Sequence, residues 1–150
     1  YSGLLSHDTH IDGEPSYVYF VDALVQTSYA VIGIVTSVAA HHDLSLTLLR
    51  VLAILRDRTP TMSQLAHHLG LDRSTVTGLV ERAVRRDLLE KLNNPDDRRS
   101  NRVGLTEEGR ALAETVTQEI KNELKPLSSR LDMGQRYDLT KLLTGLGVVG

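Results

Sequence analysis

Apolar residues recur with the helical period in six stretches of this chain. From Ser16 to about His42, Phe20, Leu24, Val31, Val35 and Val38 stand four, seven, four and three apart. Val21, Val25 and Ile32 widen that stripe, which predicts one long helix with Ser16 as its cap. Leu48, Leu49, Val51, Leu52 and Leu55 predict a second helix, capped by Ser45 or Thr47. Leu65, Ala66 and Leu69 predict a short third one, opened by Ser63 and closed by Gly70, which accepts the left-handed conformation of a helix end. Val76, Leu79, Val80 and Ala83 form one apolar face of a fourth helix behind the cap Asp72. Leu112, Val116, Ile120, Leu124, Leu127 and Leu131 recur at 4, 4, 4, 3 and 4 behind Thr106, with Glu107 and Glu108 where carboxylates suit the helix dipole. Pro126 is expected to kink or divide this fifth helix. Asp132 caps a sixth that bears Leu139, Leu142, Leu143 and Leu146 and ends in glycines.

The period changes once. Leu88 to Leu92 reads as a short strand, Asn93-Asn94-Pro95-Asp96-Asp97 is dense in turn formers, and Arg102-Val103-Gly104-Leu105 returns as a second strand. The fold class is therefore mainly α with a small β-hairpin. Two short helices joined through a turn with Gly, followed by a hairpin with Arg98 and Arg99 at its tip, read as a helix-turn-helix with an attached wing. The outer face of the fourth helix carries Ser74, Gly78, Glu81 and Arg85, flanked by Thr75, Thr77 and Arg82. Such a face suits the major groove, about 12 Å wide. The candidate DNA contacts are Arg73, Ser74, Thr75, Thr77, Gly78, Arg82, Arg85, Arg86, Arg98 and Arg99. Asp97 would be repelled by phosphate and is read as a partner that orients an Arg of the wing.

Charge sharpens this picture. The net charge is −2, yet residues 73–102 carry eight bases and five acids, while residues 1–72 carry three bases and seven acids. The positive excess sits on the reading unit, as backbone neutralisation requires. There are no cysteines, so disulfides and thiolate metal sites are excluded. His41 with His42, and His67 with His68, are neighbours whose side chains diverge by about 100° on a helix, so no metal and no other cofactor is expected. His7 and His10 fall in a polar lead-in read as a loose arm. No unbroken apolar run reaches the roughly 18 residues that span a bilayer, and no secretory signal is visible, so a cytoplasmic location without membrane contact is expected. No nucleophile elbow or phosphate loop is present, which argues against an enzyme.

The run from Leu69 to Gly109 resembles the MarR (multiple antibiotic resistance regulator) family of winged-helix transcription factors. The resemblance rests on Ser74-Thr75-Val76-Thr77, on Asn94-Pro95-Asp96-Asp97-Arg98-Arg99 and on Leu105-Thr106-Glu107-Glu108-Gly109, with the family's Asp-x-Arg wing element on Asp97 and Arg99. Two positions depart from it: Asp87 stands where the family has Gly, and Glu90-Lys91 where it has two basic residues. The resemblance implies an arm over 1–15 and one domain over 16–150. Residues 46–105 would form the winged head, and 16–42 with 106–150 the helices that interlock two copies. It also implies a homodimeric repressor on a pseudo-palindromic operator, released by a small ligand such as an aromatic acid. Tyr17, Tyr29, His42, Leu44 and Arg50 are the candidates for that ligand's crevice. The competing reading is a winged-helix module that binds protein rather than DNA.

Overall fold

The computed structural model describes residues 13–149. The arm over 1–15 lies almost wholly outside them, as do His7 and His10. Six helices and one hairpin follow in the order α1 (Pro15–His41), α2 (Leu46–Leu55), α3 (Met62–Leu69), α4 (Arg73–Arg85), β1 (Leu89–Asn93), β2 (Asn101–Leu105), α5 (Glu107–Ser128) and α6 (Met133–Gly145).

Most starts obey capping chemistry. Ser45, Asp72, Thr106 and Asp132 each accept a backbone N–H from the first turn of the helix they open. Two caps differ from the sequence reading. α3 is opened by Thr61, two residues before Ser63, through a capping box in which the Gln64 side chain accepts the Thr61 N–H. α1 begins at Pro15 after Glu14, with no side-chain cap, so Ser16 lies inside the first turn. Pro needs no N–H partner at that position and supplies the helical φ itself. Pro126 sits in the last turn of α5, which stops two residues later. Leu131 is thereby cut off from the stripe that its spacing had joined it to.

The core belongs to the head. Leu52, Leu55, Leu65, Val76, Val80, Leu89, Val103 and Val116 are fully buried and come from α2, α3, α4, the hairpin and α5. Each such side chain contributes about 1.5–3 kcal/mol by leaving water. The hairpin is antiparallel, with Leu89 opposite Leu105 and Asn93 opposite Asn101. The segment before α3 closes its outer side: Val103 donates its N–H to the Pro60 carbonyl at 2.8 Å, and Thr61 bridges to Arg102.

The two ends of the chain are different. α1 buries only Val38 and Ala39, and α6 buries nothing. Phe20, Leu24, Val25 and Ile32 on α1, and Leu139, Leu142, Leu143 and Leu146 on α6, remain exposed. α1 holds one charged residue, Asp22, among 27 and is long and apolar enough to cross a membrane by length and composition. Its Ser, Thr, Gln and Gly residues break up any continuous apolar run without lowering the mean hydropathy far.

Candidate nucleic-acid interface

Helix α4 is set by two constraints at its ends. Gly70, at φ 66°, closes α3 and turns the chain into Leu71 and Asp72. At the far end Asp87 takes φ 57°, the left-handed conformation for which the resemblance calls on Gly. Asp is among the few side chains that tolerate it. Val76, Val80 and Ala83 then point into the core. Ser74, Thr75, Glu81, Arg82 and Arg85 are exposed, and Thr77 and Gly78 half-exposed. The face read from the sequence as outward does point outward.

The hydroxyls on that face are already engaged. Thr75 donates its side chain and its backbone N–H to the Asp72 carboxylate, and Ser74 adds a 3.3 Å bond to the same group. Thr77 donates to the Arg73 carbonyl at 2.8 Å. A hydroxyl has one donor and two acceptor sites, so in this state these three offer acceptors outward. Thr75 above all, then Ser74, holds the Asp72 carboxyl below its ordinary value of 3.8. A depressed folded pKa means that the cap stabilises the helix above that ordinary value and is lost as pH falls through the lower folded one. The expected result is that Asp72→Asn flattens the acid limb of the stability-pH curve below pH 4, checked by urea titration at successive pH values.

The cations divide into two groups. The side chains of Arg73, Arg82, Arg85, Arg98 and Arg99 are exposed, and their guanidiniums make no hydrogen bond or ion pair among the described residues. Gly78 leaves the space beside which the Arg82 guanidinium lies, since a Cβ there would come within 3.4 Å of it. Arg86 is different: its guanidinium donates to the Asp43 carbonyl at 2.8 Å and the His42 carbonyl at 3.2 Å. Sequence reasoning grouped it with the phosphate-facing arginines because helical periodicity cannot show a contact across 43 residues.

The wing tip is built by side chains that hold backbone. Asn94 is buried; its amide donates to Ser100 at 3.0 Å and its oxygen accepts from the Asp96 N–H. Asp97 accepts the Arg99 backbone N–H at 2.9 Å. It thus orients Arg99 through the main chain and leaves the guanidinium loose. Arg102, absent from the candidate contacts, ties the tip end of the wing to the segment before α3 by donating to the Thr59 carbonyl at 3.1 Å, and faces Asp96 at 3.8 Å. Glu81, whose charge opposes a phosphate-binding role, lies 3.9 Å from Lys91 on β1.

The five residues proposed for a ligand crevice do not converge. Tyr17 and Tyr29 are twelve residues apart on α1, about 18 Å along its axis. Tyr17 stacks on Phe20, and Tyr29 is 70% exposed. Leu44 is in the core. His42 faces Glu119 of α5 at 2.9 Å. Only Arg50 lines the apolar cavity that the structure does contain, about 330 Å³ between Val35 of α1, Leu49 and Leu52 of α2, and Ala113 and Ile120 of α5. Aromatic residues on an exposed helix gave no sign of where this gap opens.

A helix-turn-helix, an Arg-tipped hairpin and unpaired cations on their shared outer surface define a winged helix-turn-helix protein. Residues 44–100 match the model of the MarR family. Over 123 residues the chain is 27% identical to the homoprotocatechuate degradative operon repressor of Escherichia coli, covering 81% of this chain and 82% of that protein. It is 32% identical over 93 residues to the transcriptional repressor NicR of Pseudomonas putida, covering 61% of this chain and 59% of that protein. The chain spans 55% and 59% of the length of the first curated relatives it matches. The crystal structure of NadR in complex with 4-hydroxyphenylacetate has the same fold, with a TM-score of 0.72 at 22% identity, over 85% of this chain and 92% of that one.

Proposed function

We propose that this protein is a homodimeric transcriptional repressor that reads double-stranded DNA by sequence, acts in the cytoplasm and is released by a small aromatic acid. The carrying observation is the set of five exposed guanidiniums on α4 and the hairpin tip that have no partner among the described residues. In this reading α4 enters the major groove. Arg73, Arg82 and Arg85 meet phosphate, and Arg98 or Arg99 enters the neighbouring minor groove, whose narrow stretches attract Arg. Residues 16–42 and 106–150 join two copies, and the exposed apolar residues of α1 and the exposed leucines of α6 support that assignment. The relatives' names support repression: one represses an operon for degrading an aromatic acid, and a structural neighbour holds 4-hydroxyphenylacetate.

The apolar cavity between α1, α2 and α5 is the proposed ligand site. Its walls suit an aromatic ring. Arg50 at its edge now donates to the carbonyls of His68 and Leu69, the last turn of α3. A carboxylate in the cavity would compete for that guanidinium and loosen the first helix of the reading head.

Filter binding on selected genomic fragments against salt tests the DNA reading. Wild-type affinity is expected to fall steeply with salt, and Arg99→Ala to cost on the order of tenfold and to flatten the slope by about one. Affinity indifferent to both salt and Arg99→Ala would refute it. Complete absence of binding to any fragment would favour the protein-interaction reading.

A further inference from the structure

The tether on Arg86 has a second link behind it. Arg86 ends α4, and its guanidinium holds the carbonyls of His42 and Asp43, the corner between α1 and α2. That corner is itself shaped for the purpose. Asp43 takes φ 54°, and its reversal brings the Leu44 N–H back to the Ala39 carbonyl at 2.9 Å. The two carbonyls that would otherwise face solvent at the end of α1 are thus presented to α4. His42, whose main chain receives Arg86, turns its ring the other way and meets the Glu119 carboxylate of α5 at 2.9 Å. Both His42 and Glu119 line a cavity of about 680 Å³ between α1 and α5. Two helices distant in sequence, α4 and α5, are therefore pinned to opposite sides of one residue.

We propose that Arg86 is a positioning residue rather than a phosphate contact. With His42 and Glu119 it forms a rigid strut that fixes the C-terminal end of α4 against α5. The proposal rests on the DNA-reading role of α4 for its consequence, but not for its geometry. A guanidinium that donates from both of its terminal nitrogens to consecutive carbonyls sets both the height and the roll of the helix that carries it. Lys has a single compact head and cannot reproduce that grip. A change at the α1–α5 junction would then reach α4 without any shift in the core between them.

Arg86→Gln, Glu119→Ala and the double variant separate strut from phosphate contact, since Gln removes the charge as well as the grip. Hydrogen exchange is read at the Asp87 and Leu88 amides, which bond to Val84 and Ala83 at the end of α4, and at Leu44 in the corner. Each single variant is expected to speed exchange at all three amides. Each is also expected to lower affinity for a selected operator about fivefold with the salt slope unchanged, and the double variant to do little more than either alone. Three results would overturn the strut: a slope that drops by one in Arg86→Gln, which marks a phosphate contact; effects of the two variants that simply add; or exchange at Asp87 and Leu88 that ignores Glu119→Ala. If the wild type binds no DNA while Glu119→Ala still speeds exchange at Asp87, the strut stands and the DNA reading falls.

Discussion

Gly109→Ala is expected to cost the head about 4 kcal/mol or more, enough to unfold much of it. A Cβ at this position would lie 2.0 Å from the Leu88 carbonyl oxygen and 2.9 Å from its carbon. These are backbone atoms, and they cannot step aside. Leu88 follows the left-handed Asp87, and its N–H is bonded to Ala83 while its carbonyl accepts the Thr106 N–H at 3.1 Å. The Thr106 hydroxyl caps the Gly109 N–H at 2.9 Å, so the first turn of α5 is held against the same carbonyl from both sides. Relief requires α5 to move away from the junction of α4 and β1, which pulls Ala113 and Val116 out of the core. Costs of this size are unusual for one methyl group and mark a steric lock. Gly70→Ala makes the contrast: no atom lies within 4 Å of its added Cβ, so only the left-handed backbone is penalised, by about 1 kcal/mol. Urea unfolding of both variants checks the ranking, and equal midpoints would show that α5 does not dock as closely as described.

The second large effect concerns α6. Leu139→Glu with Leu142→Glu is expected to leave the helical content unchanged, convert the proposed dimer to monomer and weaken the proposed operator binding by about 10²–10⁴. Neither leucine is buried within the chain; they are 42% and 70% exposed. Glu has good helix propensity, so the intrachain cost is small. What the charges would spoil is the surface proposed to meet the second copy, where four leucines at i, i+3, i+4 and i+7 form one face. Losing it separates the two heads, and the affinity gained by linking two half-sites goes with them. Sedimentation and gel retardation read the two consequences. A variant that stays dimeric would remove α6 from the interface; a monomer with full affinity would remove the need for two heads.

The sequence carried the head well because its signals were local. Asp72, Thr106, Asp132 and Gly70 act within four residues of themselves, so a capping rule reads them correctly. The alternation from helical to strand period around Asp87 was equally local. Ser63 was mistaken for a cap because Thr61, two residues earlier, has the same chemistry, and only the reciprocal bond of Gln64 decides between them. The reading surface was legible as a face but not as a set of hydrogen bonds. Periodicity shows that Ser74 and Thr75 point outward, not that Asp72 already occupies their protons. The long-range contacts were out of reach. Arg86 to the α1–α2 corner, Arg102 to Thr59 and His42 to Glu119 each join residues 43 or more apart. The ligand candidates failed for the same reason, since which side chains line a gap between three helices depends on packing angles that spacing does not encode.

The strand-like segment before α3 has one more effect. A two-stranded ribbon that projects from a protein is a template on which another chain can add strands. Here Pro60 and Thr61 occupy one rim of the ribbon, while the opposite strand carries Glu90 and Lys91. One rim is covered and the other charged, and both features disfavour the addition of a strand from another chain.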